Sequence, residues 1–295
     1  MARFGRVLTA MVTPFGDDGM FDPDAAARLA QWLTEHGSDG LVLAGTTGES
    51  PTITDDEQIA LFGAVREAVT VPLVGGTGGN DTVHSIELTR RAAETGLDAV
   101  LVVTPYYNRP SQAGIEAHFR AVAESTDLPV MIYDIPVRTG RKVATTTLLR
   151  LIDDVPNIVA VKDAAGDPPE SARLIAGAAP GFELYSGDDC YTLPLLSVGA
   201  VGVVSVASHW AGPVFADMVA CHEKGDVAGA IEANQRLIPS FDYESTDDAP
   251  NPVPTKAMMR LLGHGVGHCR PPMGPEPPDL ADRARAVAAA LGFEV

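Results

Sequence analysis

The chain has 295 residues, of which 45% are hydrophobic, enough for one large α/β barrel with an appendage. A formal net charge of −18 repels phosphate backbones and anionic lipid, which speaks against nucleic-acid or membrane-surface binding and obliges any site for a small acid to supply its own cation. The opening MARFGRVLTAMVTPF lacks the apolar core of a signal peptide. No apolar run approaches the ~18 residues of a membrane span. Three cysteines without a CxxC pair read as reduced thiols of a cytoplasmic protein.

In chain order, short runs rich in Val, Leu and Ile recur at 7–13, 40–44, 72–75, 99–104, 130–134, 158–162, 183–186 and 201–206. They do not alternate with polar residues, the pattern of parallel strands covered on both faces. Helical patterns lie between them. At 23–36, Leu29, Trp32 and Leu33 share a face behind Asp22 and Asp24. At 54–69, Ile59, Phe62, Val65 and Val69 do so behind Asp55, Asp56 and Glu57, acidic residues that suit a helix N-terminus. Stretches 82–95 and 112–125 repeat the theme. After Trp210 the strand pattern stops, and 213–238, 254–262 and 278–291 read as helices, with 240–254 a polar, Pro-containing loop. Residues 263–278 are unusually rich in Gly and Pro. Eight strands alternating with helices predict a (β/α)8 TIM barrel over residues 1–222 and a C-terminal helical region over 223–295; a doubly wound open sheet is the competing architecture.

In such a barrel the active site sits at the C-terminal ends of the strands. Those ends carry Gly45-Thr46-Thr47-Gly48-Glu49-Ser50, Thr104-Pro105-Tyr106-Tyr107-Asn108, Tyr133 followed by Arg138, Lys162-Asp163, and Ser186-Gly187-Asp188-Asp189. There are four lysines. Lys142, Lys224 and Lys256 stand in polar or Pro-rich contexts, whereas Lys162 closes the apolar run Ile158-Val159-Ala160-Val161. Apolar surroundings favour the neutral amine of a lysine, which attacks a carbonyl to form a Schiff base. The same position suits a lysine that snorkels outward to pair with Asp163.

Tyr133, Tyr106 and Tyr107 could shuttle protons near an iminium or could be amphipathic aromatics of the barrel mouth. The Gly45–Gly48 turn offers backbone N–H groups and two hydroxyls to a carboxylate, and Gly and Thr are also ordinary turn residues. Arg138 could grip a carboxylate in bidentate fashion or lie on the surface in a Pro-flanked loop. None of the seven histidines forms HExxH; glycines between His264 and His268 spoil a helical metal pair, and Asp188-Asp189 suits a turn better than a hard cation.

Taken together and in this order, Ala10-Met11-Val12-Thr13-Pro14-Phe15, the Gly-Thr-Thr-Gly turn, Thr104 to Pro110, Tyr133 to Gly140, Val161-Lys162-Asp163, Ser186 to Asp189, Gly202 to Val206 and Asn251-Pro252-Val253-Pro254-Thr255-Lys256 resemble the dihydrodipicolinate synthase and N-acetylneuraminate lyase family over nearly the whole chain. The resemblance implies a barrel with a helical C-terminal region, a homotetramer, and no metal or organic cofactor. It makes Lys162 the Schiff-base lysine and Tyr133 the proton donor and acceptor. Thr46 and Tyr107 complete the relay, with Tyr107 contributed across a subunit interface. Thr47 binds the pyruvate carboxylate, and the carbonyl of Val204 contacts the keto acid.

Arg138 is similar to the arginine of the synthase branch, which holds the carboxylate of L-aspartate 4-semialdehyde; the product, 4-hydroxy-tetrahydrodipicolinate, leads to lysine and diaminopimelate. A relative acting on a sugar acid or another aldehyde is the alternative. An idle barrel kept as a binding subunit and a metal-dependent aldolase are further ones. The chain departs from the family in having Asp134 where Asn is frequent. Asp55, Gln58 and His84 stand where lysine-inhibited members bind free lysine, so feedback by lysine is expected to be weak or absent.

Overall fold

The computed structural model describes residues 2–293; residues 1, 294 and 295, at the ends of the two expected segments, lie outside the described residues. Eight parallel strands close in sequence order into a barrel, which excludes the open sheet. They are β1 (Val7–Ala10), β2 (Gly40–Leu43), β3 (Leu73–Gly76), β4 (Ala99–Val103), β5 (Val130–Asp134), β6 (Ile158–Asp163), β7 (Glu183–Ser186) and β8 (Gly202–Ser205). The helices following β1 to β4 are α1 (Pro23–Glu35), α2 (Asp55–Ala68), α3 (Thr82–Ala93) and α4 (Gln112–Ala123). After β5 come the single turn α5 (Pro136–Thr139) and α6 (Thr145–Asp154), then α7 (Pro168–Gly177) after β6 and α8 (Thr192–Leu196) after β7. Beyond β8 the chain continues as α9 (Ser208–Glu223), α10 (Val227–Tyr243), α11 (Val253–Leu261) and α12 (Leu280–Ala290). None of the described helices is long and apolar enough to cross a membrane.

Strand burial is complete or nearly so on both faces, which is why the runs read as continuous rather than alternating. One set of side chains, including Leu8, Val42, Val74, Leu101, Met131, Tyr133, Tyr185 and Val204, fills the barrel interior. The other set packs under the helices. The start of α2 carries the expected acidic first turn, and the structure adds a cap: Thr54 Oγ1 accepts from the Glu57 N–H at 3.2 Å while the Glu57 carboxylate accepts from the Thr54 N–H at 2.8 Å. Its buried face is Gln58, Leu61, Phe62 and Val65; Ile59 is only partly covered, a rotation of the expected stripe.

The expected helix over 213–238 is two helices. Gly225, at φ +75°, turns the chain between α9 and α10 in a conformation that disfavours side-chain-bearing residues. The second helix runs on to Tyr243, so the loop is shorter than 240–254. Helices α9 to α12 bury Trp210, Phe215, Met218, Leu237, Met258 and Leu280 together with Val7 of β1 and Val203 of β8. The C-terminal region is thus welded to the seam where the barrel closes.

Residues 263–278 form a strap without helix. Val266 is buried and its carbonyl accepts from the Phe15 N–H at 3.1 Å. The Arg270 guanidinium lies 4.1 Å over the Phe15 ring and forks onto Glu57 at 2.6 and 2.9 Å, holding that carboxyl down at about 2. The backbone N–H of Arg270 also donates to the Glu49 carboxylate at 2.8 Å. The strap therefore docks against the turn that follows β2.

Candidate active site

At the C-terminal mouth of the barrel, a cavity of about 380 Å³ is lined by Thr46, Thr47, Tyr133, Arg138, Lys162, Gly187 and Asn251, among others. A second hollow of about 210 Å³ shares Thr46, Tyr133 and Arg138 with it and is walled by Tyr106. Five strand ends and the segment before α11 thus converge on one space.

Lys162 is 5% exposed. The β5–β6 register pairs it with Tyr133, and its Nζ lies 4.2 Å from the centroid of the Tyr133 ring. Its neighbour Asp163 points the opposite way, as alternation along a strand requires. There Asp163 accepts from the Ala165 N–H at 2.9 Å and the Ser171 hydroxyl at 2.5 Å. The reading of Lys162 as a snorkelling partner of Asp163 is thereby excluded.

Burial alone does not distinguish Lys162. Lys256, read from its Pro-rich context as unremarkable, is fully buried. Burial pushes its ammonium below the usual lysine range, opposed by Glu49 at 2.7 Å, and its Nζ also donates to the His268 carbonyl and sits 3.9 Å over Phe15. That lysine is engaged on every side, whereas Lys162 opens onto the cavity.

Gly187, whose role the sequence left unassigned, forms the wall behind Lys162: a Cβ there would stand 2.8 Å from Lys162 Cγ. Thr46 and Thr47 face the cavity from the turn after β2, and the Thr47 hydroxyl accepts from Asn251 Nδ2 at 3.0 Å. The motif containing Asn251 was noticed in the sequence, but nothing local signals that it reaches Thr47.

Arg138 lies on the one-turn helix α5 rather than in an irregular loop, at the cavity rim. Tyr107 is not brought to the cavity of its own chain; it is 89% exposed, and Tyr106 walls the adjoining hollow instead. Val204 is buried in the barrel interior opposite Leu8, and the cavity wall beyond β8 is Val206.

Of the acidic groups beside the site, Asp189 is satisfied by the chain itself, whereas one buried oxygen of Glu244 has no hydrogen-bond partner. Asp189 accepts from the Ser205 hydroxyl at 2.9 Å and from the N–H groups of Val206 and Ala207 at 3.1 and 2.7 Å. Burial pushes the neighbouring Glu244 well above the usual carboxylate range, and the Asp189 charge adds to the effect. Asp188 caps the turn at Asp189–Tyr191 by accepting from the Cys190 N–H. On the outer side of β5, burial pushes Asp134 up to about 6, opposed by Lys142 at 3.7 Å and the Val143 N–H. His264 packs on Trp32 and His268 pairs with Glu276.

Fold and site together are those of a (β/α)8 barrel enzyme of the lyase class. The model of the Dihydrodipicolinate synthetase family matches residues 3–290, and the chain belongs to that family. A 4-hydroxy-tetrahydrodipicolinate synthase of Parasynechococcus marenigrum is 49% identical over 98% of this chain and 95% of its own. The crystal structure of dihydrodipicolinate synthase DapA-2 from Bacillus anthracis superimposes with a TM-score of 0.94 at 41% identity, covering 100% of both chains. The enzyme from Cyanidioschyzon merolae, solved with lysine bound, does so with a TM-score of 0.96 at 44% identity over 99% of each chain.

Proposed function

We propose that the chain condenses pyruvate with L-aspartate 4-semialdehyde to 4-hydroxy-tetrahydrodipicolinate, in the synthesis of lysine and diaminopimelate. The observation that carries this reading is the buried Lys162 amine, 4.2 Å over the Tyr133 ring and open to a cavity bordered by two threonine hydroxyls and an arginine. The amine adds to the keto carbon of pyruvate, and water leaves as the imine forms. Loss of a methyl proton gives the enamine, whose carbon attacks the aldehyde. The amino group of the acceptor then attacks the imine carbon, closes the ring and frees Lys162.

Tyr133 moves the protons, relayed by Thr46 and by Tyr107 of a second subunit in a homotetramer. The high exposure of Tyr107 and Val137 is consistent with such an interface. Thr47 and the Val204 carbonyl hold the keto acid, and Arg138 holds the acceptor's carboxylate, a local cation in a −18 protein. The barrel, residues 1–222, supplies the chemistry in a cytoplasmic, cofactor-free enzyme, and the region 223–295 buttresses it.

The test is borohydride trapping with pyruvate, read by peptide mass spectrometry. A pyruvate adduct on Lys162, absent in Lys162→Ala, is expected. A folded wild-type protein that yields no adduct would remove the mechanism. We also propose weak or absent inhibition by lysine, because His84 Nε2 is paired with both Asp55 oxygens at 3.0 Å. Near-complete inhibition at low-millimolar lysine would refute that.

A further inference from the structure

Thr47 and Asn251, 204 positions apart, meet at the cavity wall with both side chains buried. The Asn251 amide can serve Thr47 in two ways. Its nitrogen only donates and its oxygen only accepts. The oxygen is taken by the Thr255 hydroxyl at 3.2 Å, one turn along in a wholly buried position. The nitrogen is thereby left for Thr47, donating to its Oγ1 at 3.0 Å. A threonine hydroxyl that accepts from an amide keeps its single hydrogen for another acceptor. With the amide reversed, Thr47 would spend that hydrogen on Asn251.

The same segment grips the turn a second time, two residues further on, through the Lys256 and Glu49 pair at 2.7 Å. The backbone of the turn and the direction of its hydroxyl are therefore both set from α11 and the residues just before it.

We infer that Asn251 is a positioning residue: it aims the Thr47 hydroxyl hydrogen into the cavity, at the carboxylate of the keto acid captured by Lys162. The inference rests on the proposed capture of pyruvate. It gives the C-terminal helical region a part in substrate binding.

The experiment measures the pyruvate concentration that half-saturates borohydride trapping, together with steady-state KM for both substrates. The variants are Asn251→Ala, Thr47→Val, their double variant and Thr255→Val. A hydrogen bond to a charged group is worth enough for Asn251→Ala to raise half-saturating pyruvate about tenfold, with kcat at saturating pyruvate and the acceptor KM nearly kept. The double variant should be no worse than Thr47→Val alone. Thr255→Val, which frees the amide to turn, should give a smaller rise in the same direction and carries the test if Asn251→Ala does not fold. Additive effects of the two single variants, unchanged pyruvate dependence, or equal loss for both substrates would overturn the assignment. An absent adduct in the wild type would instead defeat the underlying capture reaction.

Discussion

Replacing Gly187 by alanine tests whether the wall behind Lys162 sets the nucleophile's position. The added methyl would lie 2.8 Å from Lys162 Cγ, 3.0 Å from Ala164 Cβ and 3.1 Å from Lys162 Cε. Carbon atoms rest at roughly 3.5–4.0 Å, so the closest contact is about 0.7 Å too short. The glycine cannot easily retreat, because its N–H donates to the Asp163 carbonyl at 2.8 Å. The lysine stem must yield instead, carrying Nζ off its position over Tyr133.

A displacement approaching 1 Å costs on the order of a hundredfold in rate, whereas overpacking costs the fold about 1–3 kcal/mol. The expected outcome of Gly187→Ala is about tenfold to hundredfold slower trapping of pyruvate on Lys162, with Tm lowered by only a few degrees. Trapping within twofold of wild type in a folded protein would refute the reasoning.

Asp134→Asn should stabilise the protein above pH 6. The folded-state carboxyl titrates near 6, above its ordinary value of 3.8, so the folded protein binds a proton more tightly than the unfolded chain. Wild-type stability therefore falls as pH rises from about 4 through 6, by about 2–3 kcal/mol, a loss that the amide avoids. Thermal unfolding should give Asp134→Asn the higher Tm at pH 8 and a gap that closes near pH 4; a gap independent of pH would contradict this. Arg138→Ala should raise the acceptor KM about tenfold or more with pyruvate trapping intact, and equal loss in both steps would count against its role. Lys256→Ala strands Glu49 in the core and should cost about 3–5 kcal/mol in denaturant unfolding. The double variant Glu49→Gln/Lys256→Met should recover much of it, and a single variant as stable as wild type would show that the pair is not buried.

Much of the barrel was legible because its strands are local apolar runs: 130–134 and 183–186 match β5 and β7 end for end, and the others differ by a few residues at their ends. Two helix starts were legible from acidic residues, Asp22 and Asp24 at α1 and Asp55 to Glu57 in the first turn of α2, while the structure supplied the capping bonds of Asp22 and Thr54. The break at Gly225 was passed over because a single glycine inside an apolar periodicity weakens a helix without always ending it. Lys256 was misjudged because flanking prolines describe the backbone, whereas its burial comes from Glu49, Phe15 and His268, all distant in sequence or outside its helix.

The sequence by itself determined the order of strands and helices, the barrel, and a shortlist of residues at the strand ends, since these follow from periodicity and from position along each strand. Only the tertiary structure decided which of those residues face one another. It turned Lys162 inward and Asp163 outward, set Gly187 against the lysine stem, brought Asn251 to Thr47, and left Tyr107 exposed outside the cavity of its own chain. Strand and helix formation depends on neighbours within a few residues. A site depends on barrel closure and on contacts spanning most of the chain, which no local pattern encodes.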